Sequence, residues 1–207
     1  MSNEANADET YAAIADDLAY KFDGVIAKET VIEAVEAARA ALEPSATVTQ
    51  YLPLLVTRFA RENLIAAEQA AGRIAKEVPE LLFVCVHNAG RSQMAAALAT
   101  HLAPGKVHVR TAGSQPVDRI NEQVVAVLAE RGITIEEAFP KPLSESVLHA
   151  ADVIITMGCG DSCPILPGKH YEDWQVADPA TATLDEVRDI RDDIQSRVTT
   201  LLRQLGV

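Results

Sequence analysis

Leu81-Leu82-Phe83-Val84-Cys85-Val86-His87-Asn88-Ala89-Gly90-Arg91-Ser92-Gln93-Met94-Ala95-Ala96-Ala97-Leu98 is the stretch from which the rest of this 207-residue chain can be read. Its first four residues form an unbroken apolar run, the pattern of a buried strand, and Gln93 to Leu98 have high helix propensity. Cys85 therefore stands where a strand ends and a helix begins. Between the thiol and Arg91 lie Val86, His87, Asn88, Ala89 and Gly90, whose amides can converge on one point at the positive end of the helix. Arg91 closes the cage. The product is a cradle for a tetrahedral anion with a nucleophile at its floor, in a setting that favours thiolate, the reactive form of cysteine. Ser92 can donate to that thiolate or cap the helix. Asn88 suits the loop through hydrogen bonding or through its tolerance of left-handed backbone. His87 adds positive potential near the anion or faces solvent, while His101, His108, His149 and His170 belong to no motif.

Downstream, strand and helix patterns alternate, which predicts a parallel sheet wrapped by helices. Strands are expected near 81–84, 107–111, 153–156 and 170–174, and helices near 92–102, 116–131, 144–150 and 184–205, with Gly132 ending the second. The strand Val153-Ile154-Ile155 runs into Thr156-Met157-Gly158-Cys159-Gly160-Asp161-Ser162-Cys163-Pro164, which puts two more cysteines at a strand end. In an open sheet of this kind ligands bind beyond the carboxyl ends of the strands, so all three thiols belong to one edge. Asp173-Trp174 and Asp178-Pro179 follow, with Trp174 expected to pack in the core.

Residues 1–78 read differently. Tyr11, Ile14, Leu18 and Phe22 fall at helical spacing, Thr30-Val31-Ile32-Glu33 has the form of a capping box, and Val31, Val35, Ala38 and Leu42 continue an apolar stripe behind it. A third segment carries Leu54, Leu55, Phe59 and Leu64, and Gly24 and Glu43-Pro44-Ser45 punctuate the three. The reading is an all-α three-helix bundle over 1–78, followed by an α/β domain over 79–207, with Pro79 at the boundary. A bundle this small holds a modest core and is expected to lean on something, such as a second copy in a homodimer.

A net charge of −12 and an isoelectric point near 4.8 argue against nucleic acid or an anionic membrane as partner. Arg39, Arg58, Arg61 and Arg73 are scattered through the acidic bundle, which also disfavours a DNA-binding module. No leader opens the chain and no apolar run approaches the ~18–20 residues of a membrane span, so a cytoplasmic protein is expected. Reduced thiols are the resting state there, and three cysteines cannot form a fully paired framework.

Cys85 to Ser92 matches the C-x5-R-S signature of the low-molecular-weight tyrosine phosphatases and of the arsenate reductases that resemble them. Asp178-Pro179 stands where both keep an Asp-Pro loop, and the order of motifs from about Pro79 onward is similar to that family. The resemblance implies a phosphatase-like parallel sheet with flanking helices. Two features favour arsenate reductase, an enzyme of arsenical resistance. A phosphotyrosine pocket needs aromatic walls, whereas Ala180-Thr181-Ala182-Thr183 follows Asp178-Pro179, and a phosphatase has no use for Cys159 and Cys163. The resemblance then implies that Cys85 attacks arsenate held by residues 86–91, and that Asp178 is the general acid. Cys159 attacks Cys85 as arsenite leaves, and Cys163 shifts the disulfide to where thioredoxin reduces it.

Only three residues separate Cys159 from Cys163, fewer than the thioredoxin-coupled type leads one to expect. A four-residue offset on a helix puts Cα atoms about 6 Å apart, inside the ~4.4–6.8 Å a disulfide tolerates. If that bridge does not form, the alternative is a mycothiol-dependent reductase, served by mycoredoxin, that uses Cys85 alone. A tyrosine phosphatase is the other alternative. Cys159 and Cys163 with His170 could contribute to a zinc site, but nothing supplies further ligands, so neither metal nor cofactor is expected.

Overall fold

The computed structural model describes residues 2–160 and 164–207, and divides them into two compact units that meet in the chain between Ile74 and Ala75. The division comes a few residues before Pro79 because the intervening segment is tied to the second unit, Lys76 Nζ lying 2.7 Å from Asp152 Oδ1.

The first unit is three helices, α1 (Ser2–Lys21), α2 (Lys28–Leu42) and α3 (Leu52–Ala70), each packed against the other two. Val31, Val35, Ala38 and Leu42 of α2 are all buried, as their spacing requires, facing Ala15 and Leu18 of α1 and Val56, Phe59 and Leu64 of α3. The capping box expected at Thr30 does not form. The helix begins one turn earlier at Lys28, behind an Ala27 cap with no side-chain bond, so Thr30 lies inside the first turn. Leu54 is likewise exposed, because the buried stripe of α3 runs through Leu52, Val56, Phe59 and Ala60 instead. No helix among the described residues is long and apolar enough to cross a membrane.

The second unit is a four-stranded parallel sheet, β1 (Glu80–Cys85), β2 (His108–Gly113), β3 (Val153–Met157) and β4 (His170–Asp173), in the order β2-β1-β3-β4. Its helices are α4 (Arg91–Leu102), α5 (Glu122–Ala129), α6 (Glu145–Ala150) and α7 (Leu184–Gln204). Leu81, Phe83 and Cys85 of β1 join a core with Met94 and Leu98 of α4, Val124 and Leu128 of α5, and Val187, Ile194 and Leu201 of α7. Leu82, Val84 and Ile154 are buried as well, so β1 reads as a continuous apolar run because neither face meets water. Trp174 is in the core, its ring 5.8 Å from that of Phe83 in a tilted pair of a kind worth ~0.5–1.5 kcal/mol beyond its burial.

The helix expected over 116–131 is shorter than its pattern suggests and starts at Glu122 behind an Asn121 cap. Residues 114–121 do other work. The amides of Ser114, Gln115, Val117 and Asn121 donate to the carbonyls of Cys85, Val86, His87 and Ala89 at 3.1, 2.8, 3.2 and 2.9 Å. These bonds hold residues 114–121 along the 85–89 loop, and α5 begins only at their end, behind Asn121. Gly132, at φ +72°, does end α5, its N–H donating to Ala129 O.

Candidate active site

β1 and β3 are register neighbours, Cys85 opposite Met157, and both run in the same direction. The order β2-β1-β3-β4 reverses the direction of winding between them, so the crevice beyond their carboxyl ends is the switch point where such sheets bind ligands. Cys85 closes β1 and the loop 86–90 leads into α4, whose N-terminus begins at Arg91.

Four of the six carbonyls from Cys85 to Gly90 accept from residues 114–121 and so point outward. No described residue follows a cis peptide bond, and a trans peptide sets N–H opposite C=O. The amides of Val86, His87, Asn88 and Gly90 therefore face the other way, into the loop. This is the concave arrangement that binds anions, here at the positive end of α4. The cavity at its centre is about 30 Å³, lined by Cys85, His87, Ala89, Gly90, Arg91, Asn121, Asp178, Pro179 and Ala180. Among the described residues no Phe, Tyr or Trp lines it, and it is sized for a small ion.

Cys85 is a buried free thiol. Its Sγ lies 3.0 Å from Ser92 Oγ, and Asn88 Nδ2 donates to that same oxygen at 2.8 Å. Against a Cys85 thiolate, which can only accept, Ser92 Oγ is the donor of this contact while it accepts from Asn88. The Ser92 side chain does not cap the helix, since Gly90 is the cap residue and no side-chain bond is made there. Asn88 combines both qualities expected of it, standing at φ +50° and anchoring the loop. Its Oδ1 accepts from Lys141 N at 3.0 Å and from Gln93 Nε2 at 3.2 Å.

Arg91 is buried, its Nη2 2.9 Å from Asp178 Oδ2 and its Nη1 3.5 Å from Val176 O. The guanidinium lies over Gly158, where a Cβ would come 2.7 Å from Nη1. Only a glycine permits that approach, and its φ of +75° also excludes ordinary side chains. Asp178 Oδ1 takes the N–H of Ala180 at 3.0 Å, and Asp178 lines the same cavity as Cys85. His87 is half-buried at the rim.

Cys159 follows β3 by two residues and is buried at 6% exposure. Cys163 lies outside the described residues. Cys85, His87, Ala89, Gly90, Arg91 and Asp178 are thus gathered around one cavity, while Val86, Asn88 and Ser92 shape the loop behind it. His170 is exposed and 3.0 Å from Glu172 Oε1.

Several site residues were not legible as such. Gln93 is buried and its Nε2 reaches Asn88 O, Asn88 Oδ1 and Phe139 O, clamping the loop to the 139–141 segment. A glutamine inside a helical run carries no signal of this. At Gly113 a Cβ would meet Val86 O at 2.7 Å, so β2 ends on a glycine to let the loop pass. Asn121 lines the cavity, and its position immediately before an acidic first turn is a capping signature that could have been read.

Residues 80–207 match the model of the family described as low molecular weight phosphotyrosine protein phosphatase. The chain belongs to that family. Residues 12–67 match a second model, a protein-tyrosine-phosphatase-like N-terminal domain. Among solved structures, a thioredoxin-dependent arsenate reductase of Corynebacterium glutamicum is similar over both units, with 41% identity, a TM-score of 0.87, and coverage of 95% of this chain and 96% of that one. An Archaeoglobus fulgidus arsenate reductase is 34% identical with a TM-score of 0.52, covering 58% of this chain and 97% of its own. A Synechocystis protein named glutaredoxin arsenate reductase is 32% identical over 130 residues, 61% of this chain and 98% of that protein.

Proposed function

We propose that the chain is an arsenate reductase working through a thiol relay. The observation that carries this reading is that a second cysteine, Cys159, follows by two residues the strand paired with the one that ends at Cys85. The names of the C. glutamicum, A. fulgidus and Synechocystis relatives agree with it.

In the first step the Cys85 thiolate forms a sulfur–arsenic bond to an arsenate held by the loop amides and Arg91, and the oxygen that departs takes a proton from Asp178 and leaves as water. The Ser92 hydroxyl, aimed at the sulfur, steadies the thiolate before attack. Cys159, as thiolate, then attacks Cys85 Sγ. The sulfur–arsenic bond breaks with its electron pair going to arsenic, which leaves as arsenite, and a Cys85–Cys159 disulfide remains. Two thiols have been oxidised and arsenic reduced by two electrons. Cys163 displaces Cys85 from that disulfide, and an external dithiol reduces the Cys159–Cys163 bridge. Thioredoxin is the reductant we favour, because the relative that matches both units of this chain is named thioredoxin-dependent. That no Phe, Tyr or Trp among the described residues lines the Cys85 cavity weighs against phosphotyrosine as substrate.

Arsenate-dependent NADPH consumption, measured in parallel with thioredoxin and its reductase and with a mycothiol–mycoredoxin system, tests the proposal. Turnover with thioredoxin supports the relay. Turnover with mycothiol alone would leave Cys85 as the single working cysteine, and aryl phosphate hydrolysis without arsenate reduction would make the chain a phosphatase.

A further inference from the structure

We propose that Asn121 is a positioning residue that holds the Asp178 carboxylate at the cavity it shares with Cys85, an inference that rests on the reading of Asp178 as the proton donor. Asn121 stands where three pieces of the site meet. Its backbone N–H donates to Ala89 O of the anion loop at 2.9 Å. Its Oδ1 accepts from Gln123 N at 2.8 Å and Val124 N at 3.4 Å, capping α5. The amide orientation this imposes leaves Nδ2 pointing the other way, where it donates to Pro179 O at 3.3 Å.

That carbonyl belongs to the residue after Asp178. Pro179 is buried and begins a single turn, Pro179–Thr181, whose Ala180 N–H orients Asp178 Oδ1. The Asp178 side chain itself is 43% exposed, so little besides this turn and Arg91 fixes where it sits. The turn is docked at two points. Pro179 rests on Gly90, where a Cβ would come 2.6 Å from its Cγ, and Asn121 Nδ2 holds its carbonyl. Asn121 thereby ties the acid to the same loop that cradles the anion, so nucleophile and proton donor share one frame. A displacement of about 1 Å between reacting groups can cost on the order of 100-fold in rate, which is why such a tie matters.

Serine caps a helix about as well as asparagine but is too short to reach Pro179 O, so Asn121→Ser removes one contact and keeps the other. We expect kcat for arsenate to fall about 10-fold and the inhibition constant of inorganic phosphate to stay within twofold. Exchange of the Ala180 amide should quicken while the Gln123 and Val124 amides keep their protection. In an Asp178→Asn background, Asn121→Ser should cost nothing further, a result a general loss of structure would not give. The proposal is overturned if Ala180 exchange and kcat are both unchanged. It is also overturned if phosphate binding weakens at constant kcat, which would make Asn121 a ligand of the anion. If the unaltered protein does not turn over arsenate, the parent reading fails, and Ala180 exchange still decides whether Asn121 holds the turn.

Discussion

Arg110 and Arg91 are both buried at one parallel sheet, and they are held in opposite ways. Toward the amino end of β1, Arg110 Nε donates to Glu80 Oε2 at 3.0 Å, both side chains are within 3% of full burial, and His108 Nδ1 lies 2.7 Å from the same oxygen. At the carboxyl end, Arg91 has a carboxylate partner, Asp178, whose side chain is 43% exposed, together with a long contact to Val176 O. A buried charge is tolerated when it is paired and its hydrogen bonds are satisfied. The first arginine meets that condition inside the protein. The second meets it through a partner that can move into water, which leaves the guanidinium available to a tetrahedral anion. On the proposed function, one edge of the sheet serves stability and the other chemistry.

The largest effect should come at the chemical edge, where Cys85→Ser is expected to reduce arsenate turnover to background with the urea midpoint nearly unchanged. At the opposite edge, Glu80→Ala leaves Arg110 buried without its carboxylate and should cost about 3–5 kcal/mol of stability by urea unfolding. The kcat/KM measured without denaturant should stay close to that of the unaltered protein; a tenfold loss would break the division between the edges. Arg91→Lys keeps the charge but loses the planar fork, and should lower kcat/KM by about 10²–10³-fold with little loss of stability.

These contrasts also explain what could and could not be read from the sequence. The four strands and the crevice at their ends were legible because β1 and β3 are apolar on both faces, β1 ends at Cys85, and β3 is followed by Gly158-Cys159. The start of α5 was not, since the segment before it is held along the anion loop by the amides of Ser114, Gln115, Val117 and Asn121, long-range contacts no local pattern reveals. The start of α2 was misjudged for a related reason. Thr30 and Glu33 have capping-box spacing, but Lys28, 2.7 Å from Asp16, opens the helix a turn earlier. Gln93 and Gly113 act on the loop only through tertiary contact, so neither type nor spacing marks them.

Smaller effects probe the frame that carries the site. Thr183 caps α7 in a capping box with Glu186, and Thr183→Ala should cost about 1 kcal/mol with no change in kcat. Smallest is a pH effect at the α5–α7 junction. Hydrogen bonds from Arg188 hold the Glu130 carboxyl below its ordinary value of 4.5, and those from Arg191 do the same for Asp192. A carboxyl whose folded value is depressed stabilises the fold above its unfolded value and loses that contribution as pH falls through the folded one. Stability should therefore decline below about pH 4.5, and Glu130→Gln should flatten that slope; an unchanged slope would show the junction to be irrelevant.

The most direct test of the account is a single turnover. Fully reduced protein is mixed with excess arsenate and no external reductant, then quenched, and arsenite and remaining thiols are counted. The account predicts one arsenite per chain and a fall from three thiols to one, with Cys163→Ser still releasing its one arsenite. Retention of all three thiols and no arsenite, with phosphate released from an aryl phosphate instead, would contradict it.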